Sequence, residues 1–454
     1  MKRTAMLISG GWLLAVGLWV SPLQAAEGLV SPAEIREDVL FWERVYGRVD
    51  STGGVLHDDR DLAIVYSTVV FEAKDHEARV DQVERERARI QDALANLADH
   101  SLNATTDLER QCLALWGSKA TADNLREAAS HVRFQLGQAD RLRAGLARAA
   151  AWKSSLQARL TANGVPDELW ALTLMESAFN VNALSKRGAA GLWQLMPEVA
   201  QHKLRMDDWV DERFDPMAAT QVAAEVLSHN FNVLQSWPLA VVAYNHGLTG
   251  VLHAKQSLNS DSVVLLMREY HSASFGFASR NYYAEFLAVR DIADHPTDYG
   301  IVPPRYAIPP LVQGVASQAF SASRWAELAA ISMDEFKSDN PALRPQAYHA
   351  AIPKGVRLTI PKAAFKSSMP LQNIVAVVGA PETTTREASP LPHYTVTLND
   401  TPASIAARFH MEVARLLALN HLKRGDALHL GQVLTVSPPG MSDVKSSAGE
   451  GREH

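Results

Sequence analysis

Leu174-Met175-Glu176-Ser177-Ala178-Phe179-Asn180 is the stretch on which the reading of this chain turns. Just upstream, Gly164-Val165-Pro166-Asp167-Glu168-Leu169 has the form of a helix start, with Pro in the first turn and two acids favoured by the helix dipole. Leu169, Leu172, Met175 and Phe179 then recur at helical spacing and predict a buried stripe. Glu176 stands at the edge of that stripe. A half-buried carboxylic acid resists ionisation, so it can hold a proton near neutral pH, as a general acid must. A surface Glu or a structural ion pair would leave the same trace, so the residues downstream have to decide.

Beyond that helix, Gly188-Ala189-Ala190-Gly191-Leu192-Trp193-Gln194 sets two glycines around two alanines, which suits a turn packed closely against a groove. Trp193 offers a flat apolar face and Gln194 an amide, a pairing fit for a sugar ring with its N-acetyl group; core packing is the plainer account of the Trp. Asp215-Pro216 caps and opens another helix. Trp237-Pro238 starts the next, apolar nearly all round through Ala243 and therefore central to a core. It ends in Tyr244-Asn245-His246-Gly247, polar groups that need partners, and a substrate cleft would supply them. No His or carboxylate stands at metal-ligand spacing from His246, so no metal or organic cofactor is expected. Arg280-Asn281-Tyr282 lies in the last stretch of helical pattern, and Pro303-Pro304 and Pro309-Pro310 mark a boundary.

The 454 residues, 47% hydrophobic and 21% charged, suit a multidomain soluble protein. Residues 1–26 carry Lys2 and Arg3, an apolar run and a small-residue end at Ala25-Ala26, the layout of a cleaved secretory signal peptide. Cys112 is the single cysteine, which excludes an intramolecular disulfide and leaves no cysteine near the cleavage site for a lipid anchor. The net charge of −6 gives no general pull toward nucleic acid or an anionic membrane, and no later apolar stretch is long enough to span one. A periplasmic or cell-envelope location without a stable membrane anchor is expected. Residues 27–150 read as almost wholly helical, with dense Arg and Glu on the exposed side of His76–Leu97, and 439–454 as a disordered tail.

Taken in order, Glu176-Ser177, Gly191-Leu192-Trp193-Gln194, Ala243-Tyr244-Asn245 and Arg280-Asn281-Tyr282 resemble the lytic murein transglycosylases of glycoside hydrolase family 23, of the membrane-bound D type, whose subgroup the Trp at 193 fits better than the Met of many relatives. The resemblance implies a mainly α, lysozyme-like (SLT) domain over 151–300 with a helical N-terminal extension. It implies cleavage of the β-1,4 bond between N-acetylmuramic acid and N-acetylglucosamine in peptidoglycan. Glu176 would be the single acid and base. Ser177 would orient the carboxyl or the muramoyl N-acetyl group, and Gln194, Tyr244, Asn245, Tyr282 and Trp193 would hold saccharide and Glu. No second acid stands within the motifs, but Asp207, Asp208, Asp211 and Asp215 keep a hydrolytic muramidase as the alternative, beside an inactive wall-binding scaffold.

A linker over 366–392, rich in Pro, Thr, Ser and Glu toward its end, precedes alternating strands and helical spacing between Tyr394 and Val436. That pattern resembles a LysM module (393–438), a small βααβ domain that binds N-acetylglucosamine-containing glycans, with Asp400, Thr401 and Asn420 as its glycan-binding candidates and Asn399 where a Gly is usual. Residues 301–365 look like a degenerate copy, with Asn340 in the place of Asn420. The expected partner is the glycan strand of peptidoglycan.

Overall fold

The computed structural model describes residues 29, 31–72, 74–302, 311–368 and 375–377, and further on 393–395, 401–408, 411, 413–420, 422, 428 and 433–436. It divides into two units, residues 1–378 and 379–454. The signal segment, the tail and most of the linker lie outside the described residues.

The first helix, α1 (Arg36–Gly47), turns Val39, Trp42, Val45 and Tyr46 inward. The segment after it corrects the expectation of an almost wholly helical region. Strands β1 (Gly53–Asp58), β2 (Val65–Val70) and β3 (Val132–Leu136) form an antiparallel sheet in the order β2-β1-β3. All six residues of β1 are buried, so the strand lacks the alternation by which a half-exposed one is recognised. A separate apolar cluster forms where α2 (His76–Asp99) sets Val83, Ile90, Leu94 and Leu97 against Leu56 and Tyr66 of the sheet, α3 (Asp107–Trp116) and α4 (Ala122–Ala129). Its exposed side carries Arg87–Glu84 and Arg89–Glu86 pairs, the solvated face that the charge pattern implies.

The main core is helical. It runs through α5 (Ala139–Ala149), α6 (Lys153–Ala162), α7 (Leu172–Ser177), α8 (Pro197–Ala200), α9 (Pro216–Leu234), α10 (Trp237–His246), α11 (Leu248–Leu258), α12 (Val263–Glu269) and α13 (Phe277–Asp294). Asp215 caps α9 by accepting from the N–H groups of Met217 and Ala218, and Ser236 caps α10 through Leu239 N–H. Leu239 to Ala243 are all buried, as an all-round apolar helix requires. The inward residues of α1 join this same core, so the N-terminal region is part of the wall behind α13.

Beyond residue 310 come β4 (Leu311–Ala316), β5 (Phe320–Ser321), α14 (Ala322–Ala329), α15 (Met333–Asp339), β6 (Ala351–Ile352), β7 (Arg357–Pro361), α16 (Lys362–Ser367) and β8 (Val375–Val377). The sheet order β7-β4-β8 corrects the start of the expected linker: 362–367 is helix and 375–377 an edge strand on β4. The signal was the apolar run Ile374 to Val378, too short to read against its polar flank. The skeleton β4-α14-α15-β7 is strand, helix, helix, strand, with its end strands paired antiparallel. Asn340 is buried at its centre, donating to Phe336 O (2.9 Å) and Thr359 O (3.1 Å) and accepting from Thr359 N–H (2.7 Å).

In the second unit the order recurs. Strands β9 (His393–Thr395) and β10 (Val433–Thr435) pair antiparallel around helices Pro402–Arg408 and Val413–Leu419, and Ile405, Leu416, Leu434 and Val436 form a small core. Among the described residues no helix is long and apolar enough to cross a membrane.

Candidate active site

Glu176 is the next-to-last residue of α7, and the way the helix stops sets its position. Ala178 and Phe179 both take left-handed backbone (φ 49° and 54°), closing the helix with Ala178 N–H on Leu174 O and Phe179 N–H on Thr173 O. Left-handed geometry at a residue with a side chain costs about 1 kcal/mol or more and persists only where the surroundings hold it. Here Arg148 of α5 holds it, donating Nη2 to Ala178 O (2.6 Å) and Nε to Phe179 O (3.1 Å). Gly145 lets α5 come this close: a Cβ there would lie 2.7 Å from Ala178 O. Phe179 fills the core beneath the turn.

The Glu176 residue is half-buried overall, but its carboxyl is enclosed by protein atoms, and this burial pushes its pKa up to about 7. The Tyr282 hydroxyl, from α13, donates to Oε1 and partly opposes the rise. Tyr244, at the end of α10, donates to Trp193 O (2.8 Å), close enough to Glu176 to feel its charge. Glu176, Tyr244 and Tyr282, distant in sequence, therefore meet at one place.

The remaining candidates divide. Ser177 Oγ lies 3.0 Å from both Thr173 O and Leu192 O, so it ties α7 to the Gly191 turn rather than touching the Glu176 carboxyl. Gln194, itself left-handed (φ 46°), donates Nε2 to Gly191 O (2.9 Å) and braces its own turn. Gly191 has no substitute: its φ is 76° and a Cβ would lie 1.9 Å from Arg213 O. Asn245, exposed in the last turn of α10, accepts from Ser279 Oγ (3.1 Å).

Trp193 is a correction. It is 0% exposed, its Nε1 donates to Thr220 Oγ1 (2.8 Å) and its ring meets Tyr244 edge-on at 6.3 Å, so the indole is core and offers no face for a sugar to stack on. In the C-terminal module, Thr401 caps the helix after it by exchanging bonds with Ser404, and Asn420 donates to Leu416 O (2.8 Å). Asp400 lies outside the described residues.

Three of the four acids held open for a muramidase are occupied elsewhere. Asp207 accepts from Arg205 and from two backbone N–H groups, Asp211 is clasped by Arg213 and Arg344, and Asp215 caps α9 while accepting from Gln313 on β4. Asp208 is exposed. These contacts seat the 311–361 segment on the helical domain.

One carboxyl went unread. Glu285 lies on α13 a turn beyond Tyr282 and accepts from the Tyr46 hydroxyl of α1; burial first, and then the nearby Glu176 charge, push its pKa up to about 7 against the Tyr46 hydrogen bond. Its trace in the sequence is positional: Tyr282, Glu285, Phe286 and Val289 fall on the inward stripe of one helix.

Residues 153–262 match the model of the Transglycosylase SLT domain and 394–437 that of the LysM domain. Membrane-bound lytic murein transglycosylase D of Escherichia coli K12 is 28% identical over 278 residues, 60% of each chain. A putative tributyltin chloride resistance protein of Alteromonas sp. strain M-1 is 30% identical over 124 residues, 27% of this chain and 60% of that one. The chain thus spans about three-fifths of the length of the curated relatives it matches. Among solved structures, an inactive mutant of the lytic transglycosylase Slt from Pseudomonas aeruginosa aligns with 17% identity and a TM-score of 0.27, over 50% of this chain and 33% of that one.

Proposed function

We propose that this chain, which carries an SLT domain on a mainly helical, lysozyme-like fold and a LysM domain after it, is a peptidoglycan lytic transglycosylase of the cell envelope. The observation that carries the reading is a carboxyl without an ion-pair partner among the described residues, enclosed inside the SLT domain so that it holds a proton near neutral pH, and pinned by Tyr282 beside Tyr244.

In the first step Glu176 gives its proton to the glycosidic oxygen as the bond from the muramoyl C1 to that oxygen breaks, and the N-acetyl oxygen of the same sugar stabilises the developing cation. The leaving chain departs with a free 4-hydroxyl. In the second step the muramoyl 6-hydroxyl attacks C1 and its proton returns to Glu176, which regenerates the acid and yields a 1,6-anhydro end with no water consumed. A retaining or inverting hydrolase would need a second carboxylate to act as nucleophile or to activate water. Asp207, Asp211 and Asp215 are engaged in structural pairs, which supports the single-acid route over a muramidase built on them. Asn245, exposed at the rim, and Gln194 would meet the saccharide, and Tyr282 and Tyr244 would hold the Glu. The LysM domain would keep the enzyme on its insoluble polymer, raising local concentration without adding chemistry. The 311–361 segment, with its matching strand order and Asn340, would be a second, degenerate LysM fused to the catalytic domain.

Glu176→Gln tests this directly. Solubilisation of purified sacculi should fall by about a thousandfold, the scale of a lost general acid, while the variant still sediments with sacculi. Undiminished lysis would remove Glu176 from the mechanism.

A further inference from the structure

The N-terminal region holds a cavity of about 460 Å³ that the proposed mechanism leaves unused. It lies at one end of the β2-β1-β3 sheet, lined by Ser51 just before β1, Phe71 just after β2 and Leu136 at the end of β3. That size suits a small organic ligand better than a single ion. Opposite the sheet stands the first half of α2, which contributes Arg79, Val80, Val83, Glu84 and Arg87, at helical spacing on one face. A face turned toward a sheet is ordinarily apolar throughout, and this one carries two arginines. Arg141, from the first turn of α5, adds a third. Against these three guanidiniums the lining holds one acid, Glu84, in a chain whose net charge is −6. The neighbouring Asp140 is engaged by Ser51, accepting from its N–H (2.8 Å) and its Oγ (2.6 Å).

The cations are arranged around an apolar floor. The Arg79 guanidinium sits over the Phe71 ring, 5.1 Å from its centroid. Arg87 gives Nη1 to both oxygens of Glu84 (2.6 and 2.7 Å), and its buried Nε has no hydrogen-bond partner among the described residues. Arg141 is exposed and reaches only the neutral Gln138 Oε1, at 3.3 Å, among its printed side-chain bonds. The Phe134 ring lies across Gly54, where a Cβ would stand 2.3 Å from it, and with Leu136 and Val83 makes the floor. Guanidinium forks match carboxylates, and the floor accepts small apolar side chains; a bare phosphate would leave the floor unused.

Helix α5 links this cavity to the candidate active site. Arg141, Gly145 and Arg148 fall at i, i+4 and i+7 on one face, and the last two hold the Ala178–Phe179 turn that follows Glu176. Arg141 is therefore about 10 Å along the helix axis from Arg148. Its charge is also felt at the Tyr46 hydroxyl, as is that of Glu176. An extended peptide of about four residues spans about 13 Å, the same scale.

We propose that this cavity is a subsite for the carboxylate-bearing peptide stem of the glycan strand, with Arg79, Arg87 and Arg141 taking the carboxylates and Phe134 and Leu136 the apolar side chains. The choice of ligand rests on the peptidoglycan reading, because the short peptides of that polymer hang from the muramoyl units whose bonds Glu176 would break. The subsite gives the N-terminal region a part in choosing which stretches of wall are cut.

The probe is the tetrapeptide stem freed from sacculi by an amidase, titrated calorimetrically into the full-length protein. Two controls accompany it: the same peptide with its carboxylates amidated, and an acidic tetrapeptide of ordinary L-residues with the same charge. The free stem should bind at least about tenfold tighter than the amidated one, the scale of one charge-assisted hydrogen bond. Arg79→Gln and Arg141→Gln should each weaken it about tenfold. Glu84→Gln, which releases Arg87, should tighten it severalfold, an opposite sign that misfolding cannot imitate; thermal unfolding checks each variant. On sacculi, the preference for peptide-bearing over amidase-stripped strands should fall about tenfold in Arg141→Gln, carried by KM. Equal affinity for free and amidated stems overturns the inference, as does an affinity unmoved in Arg141→Gln and Glu84→Gln. Tighter binding of the L-peptide overturns it too, making the cavity a dock for an acidic segment of another protein. The stem is not itself cleaved, so the two readings fail separately: lysis without stem binding defeats this inference, and stem binding without lysis defeats the catalytic one.

Discussion

Buried carboxylates serve the helical domain at two sites, and the protein treats them in opposite ways. Asp211 is 2% exposed and meets Arg213 through two nitrogens, with Arg344 reaching it from the following segment. Its charge is answered on the spot, and Arg213 spends its remaining donor on Gly188 O and Leu195 O, fixing the turn that carries Gln194. Glu176 and Glu285 are given hydroxyls in place of guanidiniums, and both are pushed up to about 7. An acid that must shed and regain a proton needs a site in which neither form is greatly favoured, whereas an acid that must hold structure needs a cation. The same residue class serves construction at one site and chemistry at the other.

If the Asp211 end is construction, breaking it should cost stability and little else. Asp211→Ala leaves Arg213 buried without its carboxylate, a loss of about 3 kcal/mol by the usual cost of splitting a buried pair, measured by thermal or urea unfolding. A variant as stable as the wild type would mean that the pair is dispensable.

The Glu176 end should show the reverse. A carboxyl whose pKa in the folded state is raised from the usual 4.5 to about 7 binds its proton more tightly in the folded chain than in the unfolded one. Its unfavourable ionisation is therefore absent below about pH 4.5, and stability is lost as pH rises from there through 7. Replacing Glu176 by Gln should raise Tm by a few degrees at pH 8, on the order of 1–2 kcal/mol, with little change at pH 4. Parallel Tm profiles for variant and wild type would contradict the raised pKa.

The smallest effect is expected at Trp193. Trp193→Phe keeps most of the apolar volume but strands Thr220 Oγ1 without its indole donor, for a loss of about 1 kcal/mol in stability. Affinity for soluble chitooligosaccharides should be unchanged. Weakened binding with stability intact would restore the indole to the sugar site.

Much of this was legible in one dimension. The stripe Leu169, Leu172, Met175, Phe179 marks the Glu176 helix because helical period survives burial on one side, whereas the central helix is marked by its unbroken apolar run from Leu239 to Ala243 between a Trp-Pro start and a glycine stop. Strand β1 did not read as a strand, since a strand buried on both faces has no period to find. The direction of the Trp193 indole was likewise hidden, because a Trp beside a site and a Trp beneath it look alike in sequence. Glu285 was missed because its meaning depends on Tyr46, 239 residues away, and no local pattern joins them. The cap at Asp215 was legible beside Pro216, but the contacts of Asp215 with Gln313 and of Asp211 with Arg344 depend on the 311–361 segment docking on them.

The most direct measurement is mass spectrometry of the soluble fragments that the wild-type protein releases from purified sacculi. Fragments one water lighter than ordinary muropeptides, and resistant to borohydride reduction, are the predicted outcome of one acid returning its proton through the muramoyl 6-hydroxyl. Reducible, fully hydrated ends would contradict it and turn attention to Glu285 as the second carboxylate of a muramidase.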